Sequence, residues 1–438
     1  MVMRNKISKI QIYKNFSVNI LFLLMFFTMF SGFFITNFDV PASILYFEDV
    51  INIALILLNI KKMTKKINTR ELRFIFLTLL FLFVILFFIG MIRDSSIIRA
   101  VWALRNWGRL FSFFFICITV LNEKMVERFI NFIMIFFHIN VLFIILQFMT
   151  KMVNSQDELN GFFGRDTSSI NITMTIIISI IIISQYFTKK CTIGKLVLYS
   201  LEIFIVSILA ELKAVILFWL ILLLLIGFVN IRNSTKRMIK YIAIGLVMIV
   251  LSWIASMQLV KLYPEFSNFL SISKILESTT TKGGYGHSGY IDRLTSIQII
   301  NQYFFNFYGI SYKLFGIGLG NGEYSTVASL VGPFYETYGA TFGYLNFSSA
   351  IIYLESGIVG LTLYSVVFIR IIYERLLNIC VRGYINADRE YFESIGLGVA
   401  VICLIFIVYN NLLRTDASYL LAFFLAIPFI YNVEENNL

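Results

Sequence analysis

Long apolar runs alternate with short polar segments along almost the whole chain. Phe16 to Phe38 holds no charged residue, and neither does Phe74 to Ile92. A helix of this length crosses a hydrocarbon core of about 30 Å at a rise of about 1.5 Å per residue. Lipid offers no partner for backbone N–H and C=O groups, so each run is predicted to be helical. The twelve predicted spans lie at 17–36, 43–60, 74–92, 101–121, 128–149, 169–187, 194–210, 214–230, 239–258, 346–370, 392–412 and 417–432.

Composition supports a membrane protein over a soluble one. The 438 residues are 59% hydrophobic and 14% charged, whereas soluble chains are about 45–50% apolar and about 25% charged. The first apolar run is too long for the core of a secretory signal, and no small-residue cleavage site follows it. It is therefore expected to be the first membrane helix. The four cysteines show no metal-ligand spacing, so neither a disulfide nor a zinc site is predicted.

Basic residues predict the orientation of the chain. With a cytoplasmic N-terminus, 23 of the 36 Lys and Arg residues fall in cytoplasmic segments, as the positive-inside rule requires. The C-terminus is then cytoplasmic too, in a cytoplasmic (inner) membrane. The net charge of +11 is distributed by membrane side, which excludes nucleic acid as a partner.

One long segment interrupts the pattern of spans. The prediction divides the chain into nine spans over residues 1–258, a large extracytoplasmic loop over 259–345, and three spans over 346–438. Aromatic and glycine-rich stretches in this loop argue against disorder. We expect short helices that pack over the mouth of the membrane domain.

Five basic residues are predicted to lie within or beside membrane spans, where a charge is energetically costly. Arg105 and Arg109 are four residues apart in the fourth span and so share a helix face, whereas Arg99 lies on a different side. Lys213 lies in the turn between the seventh and eighth spans, and Arg165 precedes the sixth. Guanidinium groups suit phosphate through bidentate hydrogen bonds, so these residues are candidate ligands of an anion. Snorkelling to the membrane surface is the simpler explanation for Arg99, and a turn charge is the simpler one for Lys213 and Arg165.

The long loop carries a second group of candidates in the run GYGHSGYIDRLTS. It brings His287, Tyr290, Asp292 and Arg293 together. A loop histidine is a candidate base or an ordinary surface residue. The other histidine, His138, is expected to be packed within the membrane.

Four stretches carry a resemblance, through their order along the chain. GFFGRDTSSINIT precedes the sixth span, and AELKAVILF forms the turn that holds Lys213. RLTSIQIINQYFFNFYGISYKLFGIGLGNGEYS opens on Arg293, and LNFSSAIIYLESGIVGL carries Glu355, Gly357 and Gly360. Together with the span count and the place of the large loop, they resemble the Wzy-type polymerases of lipid-linked repeat units and their relatives, the O-antigen ligases.

The resemblance implies an all-α polytopic protein of the glycosyltransferase C class. It further implies an enzyme that joins undecaprenyl-diphosphate-linked oligosaccharides at the outer face of the cytoplasmic membrane. An acceptor hydroxyl would displace the lipid diphosphate, and no cofactor or metal is expected. Membrane lipids, a chain-length regulator and a flippase are the expected partners.

The candidate residues take roles from this resemblance. Asn346 stands where the ligases carry histidine, and an amide cannot accept a proton at neutral pH, which favours a polymerase. The predicted catalytic residues are Glu355, Arg293, Asn346 and His287, with Glu355 as the expected base. The predicted diphosphate ligands are Lys213, Arg293, Arg99, Arg105, Arg109 and Arg165. Tyr290 and Asp292 are the predicted sugar-binding residues.

Three other functions remain open on the sequence. A ligase is the nearest enzyme, weakened by Asn346. A flippase for the same lipid-linked units would share the basic cavity but lacks a long folded outward loop. A secondary transporter would show paired broken helices and internal repeats, which the sequence does not display.

Overall fold

The computed structural model describes residues 2–93, 95–152, 155–165, 167–230, 291–382 and 386–435, together with the isolated positions 250, 254, 257 and 261. These residues form helices joined by turns, with no strand among them. Side chains of residues 2–15 are not described. The helices are α1 (Val2–Phe38), α2 (Leu45–Lys66), α3 (Arg70–Ile92), α4 (Ile97–Val120), α5 (Glu123–Thr150), α6 (Ser168–Phe187), α7 (Ile193–Leu209), α8 (Lys213–Asn230), α9 (Ser296–Ile300), α10 (Asn306–Tyr308), α11 (Ile310–Phe315), α12 (Pro333–Phe342), α13 (Ser348–Leu377), α14 (Ala387–Tyr409) and α15 (Ala417–Glu435).

Eight stretches of the described chain are long and apolar enough to cross a membrane, so the protein is an all-α multi-pass membrane protein. They include α1 from Phe16 onward, α2, α3, α5, α6, α8, α13 and α14. The predicted spans at 101–121, 194–210 and 417–432 are also helical, as α4, α7 and α15, but are not among the eight. Three arginines interrupt α4, and the other two helices are short in apolar length. The predicted span at 239–258 lies almost entirely outside the described residues.

A few helices form the centre of the bundle. The apolar segments of α6 and α14 are 89% and 78% buried, and residues 417–430 of α15 are buried throughout. The helix α15 packs against α4 and α14, and α13 packs against α14 and α3. In contrast, α2 and α3 are 33% and 28% buried, so most of their surface faces lipid.

The two ends of the bundle can be told apart by their contacts. At the end that carries residues 291–345, here called the loop end, Tyr46 is 3.0 Å from Thr326, and Arg93 donates to Ser311 at 3.0 Å. At the opposite end, Lys66 donates to the Ile118 carbonyl at 2.9 Å. Which end faces the cytoplasm stays a prediction.

The described part of the long loop is folded. Residues 296–315 form α9, a π-helical turn, α10 and α11. The glycine-rich segment, residues 316–323, follows α11 and precedes α12. Ile291, Phe304, Phe305 and Tyr344 build a small apolar core with the first turns of α13. The segment therefore packs on the membrane helices as short helices, as its composition predicted.

Candidate functional site

Arg105 and Arg109 lie on one face of α4 and both reach Asp49 near the start of α2. Arg109 Nε and Nη2 donate to the two oxygens of Asp49 at 2.9 and 2.8 Å, and Arg105 Nη1 lies 3.3 Å from Asp49 Oδ2. Both Asp49 and Arg109 are buried. The two arginines therefore share a helix face, as their spacing of four residues predicted, and both guanidinium groups reach one carboxylate.

Arg109 also ties α4 to the turn before α15. Its Nη1 donates to Asp416 Oδ1 at 2.6 Å and to the Arg414 carbonyl at 3.4 Å, while the Tyr419 hydroxyl donates to Asp49 at 2.8 Å. All three nitrogens of Arg109 are thus engaged within the protein. Arg109 acts as a bond between three helices, and its role as a phosphate ligand stays a prediction that these contacts do not favour.

A third arginine, Arg414, is buried and joins the same cluster from the turn between α14 and α15. It forms an ion pair with Glu323 of the glycine-rich segment, and Asn106 of α4 donates to the other oxygen of Glu323 at 3.0 Å. The three arginines and the three carboxylates that contact them balance in charge. This network holds the folded loop against α4.

Arg105 is the member of the cluster with the best access. Its side chain is 19% exposed, and its guanidinium lies 3.9 Å from the ring of Trp102 and 5.1 Å from that of Tyr46. Nε and Nη2 donate to the neighbouring Asn106 side chain, whereas Nη1 makes no hydrogen bond to the described residues. This nitrogen is buried and forms the ion pair with Asp49, so the exposed part of the Arg105 side chain lies elsewhere.

An apolar cavity of about 430 Å³ begins at this arginine. It lies between α2, α3 and α4, and all but five of its seventeen lining residues are apolar. The polar ones are Asp49, Asn52, Arg105, Arg109 and Ser112. Asn52 donates to Ser112 at 2.8 Å, but its Oδ1 has no hydrogen-bond donor among the described residues. One end of the cavity is therefore polar, and the rest is hydrocarbon-like.

Glu355 has the contacts of an anchor. The residue is fully buried, and its Oε1 accepts from the backbone N–H groups of Gly320 and Gly322 at 2.9 and 3.1 Å. Its Oε2 accepts from Trp107 Nε1 at 2.9 Å. These bonds fix the glycine-rich segment to α4 and α13. The predicted role of Glu355 as a base stays untested, and its described surroundings are those of a structural carboxylate.

Three glycines of the glycine-rich segment allow its backbone to lie directly against the backbones of α3 and α13. Gly316, Gly318 and Gly320 all have φ between +71° and +90°, where side chains other than glycine are strained. A Cβ atom at Gly318 would lie 2.6 Å from Gly90 of α3, and one at Gly316 would lie 2.4 Å from the Glu355 carbonyl carbon. The motif is thus a packing device that seats the loop on the helices.

Arg293 and Asp292 lie just before α9, and Arg293 contacts Tyr409 at the end of α14. Arg293 Nε donates to the Tyr409 carbonyl at 2.9 Å, and the guanidinium lies 4.6 Å from the Tyr409 ring. Both residues are partly exposed. Desolvation raises the pKa of the Asp292 carboxyl, although neighbouring Arg293 opposes the shift. Asn346 is exposed in the turn before α13, and its backbone N–H donates to Gly343.

The remaining predicted residues are spread around the loop end. Lys213 begins α8 and lies 3.7 Å from Glu211, and Phe218 on the same helix packs on Tyr409. Arg99 is half-buried near the start of α4. Arg165 is exposed beside α1 and α5, where its N–H donates to Thr36. The predicted residues His287 and Tyr290 lie outside the described part of the chain.

The structure therefore brings Arg105 and Arg109 together, and it places Arg293 against Tyr409, the last residue of α14 before the turn that holds Arg414. Residues that the sequence analysis missed are Asp49, Glu323, Arg414 and Asp416. The run NNLLRTDAS between two apolar spans was the available indication for Arg414 and Asp416, because charges in so short a turn lie at the membrane boundary.

No protein-family model matches this chain, and no curated protein matches it either.

Proposed function

We propose that this protein is a glycosyltransferase that polymerises undecaprenyl-diphosphate-linked oligosaccharide repeat units. The observation that carries the proposal is the position of Arg105, a partly exposed guanidinium at the polar end of an apolar, lipid-facing cavity. A lipid diphosphate needs both surroundings at once, a hydrocarbon channel for its chain and a forked donor for its phosphates.

In the proposed reaction, an acceptor hydroxyl oxygen bonds to the anomeric carbon of the donor glycan. The bond from that carbon to the diphosphate oxygen breaks, the diphosphate leaves with the electron pair, and the hydroxyl proton passes to solvent. The leaving group gains negative charge in the transition state, so pre-positioned donors such as Arg105 lower the barrier. Arg293, Lys213 and Arg99 add positive charge around the rim of the loop end.

The wider proposal keeps the topology expected from the sequence. The chain would cross the cytoplasmic membrane twelve times in a glycosyltransferase C architecture, with both termini cytoplasmic and the loop end outside. Asp292 and Tyr290 would contact sugar next to Arg293. A flippase that delivers the substrate and a chain-length regulator would be partners in the membrane.

The test is an assay of purified protein in nanodiscs with an undecaprenyl-diphosphate-linked repeat unit. A ladder of longer products is the expected result. Arg105→Ala should lower the rate about 10–100-fold, the equivalent of about 1.5–3 kcal/mol for a charged hydrogen bond. Arg105→Lys keeps the charge but loses the forked pair of donors, so its rate should lie between those of the wild type and Arg105→Ala.

Arg370→Ala provides the matched control, because Arg370 is a partly exposed arginine paired with Glu374 on α13 rather than in the cluster. Its rate should equal that of the wild type. A wild-type protein that makes no ladder but moves the substrate across vesicles would instead be a flippase. Transfer of one glycan to a lipid acceptor without a ladder would identify a ligase.

A further inference from the structure

The short helices of the long loop leave one apolar surface uncovered. Residues 296–308 form one helical stretch through α9, the π-helical turn and α10, and α11 follows after Gly309. Ile300, Phe304 and Phe305 of this stretch are buried in the small apolar core. The large apolar side chains that stay exposed are Tyr303, Phe307, Tyr308, Ile310 and Leu314. An exposed apolar surface of this kind marks a place of contact with protein or membrane.

The exposed side chains of the helical stretch are separated by their chemistry. Gln298, Gln302 and Asn306 are exposed at intervals of four residues, so they lie along one side of the helix. Tyr303 and Phe307 are also four residues apart and lie along the neighbouring side. A polar stripe beside an apolar one is typical of a helix that lies in the plane of a membrane surface, with its apolar side toward the acyl chains.

Arg93 shows where this surface lies along the bundle. It directly follows α3, donates to Ser311 of α11 at 3.0 Å, and its guanidinium lies 3.5 Å from the centre of the Tyr312 ring. Ile92, the last residue of α3, is exposed, and so is Phe88 one turn before it. The helix α11 therefore lies beside the point where the lipid-facing side of α3 ends.

The lipid-facing side of α3 forms a continuous stripe up to that point. Only 28% of the apolar segment of α3 is buried, so most of its surface faces lipid. Its exposed apolar residues recur every one to four residues to the end of the helix, at Leu77, Leu80, Phe81, Val84, Phe88 and Ile92. Beyond Ile92, the exposed rings and aliphatic side chains of the loop continue this stripe. Aromatic rings flanked by cations such as Arg93 and Lys313 are the side chains typical of a membrane–water interface.

The helix α12 shows how another part of the same loop is exposed. Glu336, Thr337 and Thr341 are exposed on it, whereas its four aromatic residues pack toward the small apolar core. The loop therefore has a polar exposed side at α12 and an apolar exposed side next to α3. A loop surrounded by water on all sides would have no reason to keep the two apart.

We propose that residues 303–314, here called the interfacial segment, insert into the lipid leaflet at the loop end. The bilayer is the occupant of the exposed surface, because this surface continues the lipid-facing stripe of α3 and lies at its end. Phe307 and Ile310, which are 79% and 74% exposed, reach the boundary between headgroups and acyl chains. The interfacial segment thus holds the long loop against the membrane. This role does not depend on the proposed glycosyltransferase activity.

The experiment uses the full-length protein in phosphatidylcholine nanodiscs that hold one copy each. Phe307→Trp adds one indole, and subtraction of the wild-type signal removes the contribution of the four native tryptophans. Lipid brominated near the headgroup end of its acyl chains quenches an indole inside the bilayer, and acrylamide quenches one in water. Brominated lipid should reduce the added fluorescence at least about twofold, because an interfacial helix lies about 5–10 Å into the boundary of headgroups and acyl chains. Acrylamide should have little effect.

Thr337→Trp is the matched control, because Thr337 is exposed on the polar side of the same loop. Its added fluorescence should respond to acrylamide and not to brominated lipid. A second pair of changes is made in the Phe307→Trp protein. Ile310→Asp should move quenching from lipid to acrylamide, because a charge is costly among acyl chains. Gln302→Asp, on the polar stripe, should leave both unchanged.

Three outcomes decide the proposal. Quenching of Phe307→Trp by acrylamide and not by lipid would place the interfacial segment in water and overturn it. Protection from both quenchers would overturn it as well, because the surface would then be covered by protein. Quenching by lipid in a protein that makes no polysaccharide would support the interfacial segment while the proposed function fails.

Discussion

Two buried arginines tie the helices together, one at each end of the bundle. Arg109 at the loop end joins Asp49 and Asp416, and Arg375 at the opposite end joins Glu71 and Glu393. Arg375 is fully buried, and Asn378 donates to the second oxygen of Glu393 at 3.0 Å. Each arginine therefore bridges two carboxylates from different parts of the chain.

The surroundings of the two arginines differ. Next to Arg109 lies Arg105, whose side chain is partly exposed and lines an apolar cavity. The Arg375 cluster is packed by the Phe429 ring at 4.6 Å. A buried arginine in a membrane protein is thus not a site by itself. A partly exposed arginine beside a cavity is what distinguishes the loop end.

The largest expected effect on stability comes from removing Arg109 or Arg375. Arg375→Ala and Arg109→Ala each leave two carboxylates without their buried partner, which costs about 3–5 kcal/mol. Thermal unfolding in detergent should show a large fall in Tm for both. Arg370→Ala, which breaks an i,i+4 pair, should cost only about 0.3–0.5 kcal/mol. A wild-type Tm for Arg375→Ala would contradict the structural reading of its cluster.

A smaller effect on stability is expected from Glu355→Gln, which tests whether Glu355 is a structural anchor or a catalytic base. The amide oxygen can still accept from Gly320 and Gly322, but the amide N–H groups face the Trp107 donor. The lost bond should cost about 1–3 kcal/mol and lower Tm. Activity per folded molecule should persist. Complete loss of activity in a folded protein would restore Glu355 as the base.

Arg105→Ala should affect stability less than either tie does. Asp49 retains Arg109 and Tyr419 as partners, so the change should cost about 1 kcal/mol or less. A Tm near that of the wild type together with a lower polymerisation rate would separate the role of Arg105 from the structural role of Arg109. A fall in Tm as large as that of Arg109→Ala would mean that the cluster is structural throughout.

The smallest effect on stability is expected from Lys213→Ala. Its pair with Glu211 is partly exposed and 3.7 Å long, and such pairs contribute about 0–1 kcal/mol. Its rate then reports the contribution of this charge to the rim of the loop end. A reduction of a few-fold that disappears in high salt is expected, because salt screens exposed charges over about 10 Å. An unchanged rate at low salt would remove Lys213 from the proposed site.

Much of the fold could be predicted from the sequence, because lipid leaves an apolar run little choice but a helix. The predicted span at 392–412 shows where the boundary error comes from. The helix α14 begins earlier, at Ala387, since Asp388 and Glu390 in its first turn suit a helix N-terminus. It ends at Tyr409, before the two asparagines whose polar groups serve the following turn.

The candidate site was harder to predict, because its partners are distant in sequence. The shared face of Arg105 and Arg109 follows from helix geometry alone. Their counter-ions do not, since Asp49 and Asp416 stand 60 and 307 residues from Arg109 and meet it only through packing. Glu355 was predicted as a base, which stays a prediction, and no local pattern shows that it accepts from backbone N–H groups.

The Arg375 cluster has a consequence for how the protein is made. Glu71 and Arg375 are separated by 304 residues, so the glutamate enters the membrane long before its cation has been synthesised. During that interval α3 carries an unmatched charge at its boundary. We expect chains truncated before α13 to be recognised by membrane proteases as incomplete. The cluster can therefore be complete only after α13 and α14 have been synthesised.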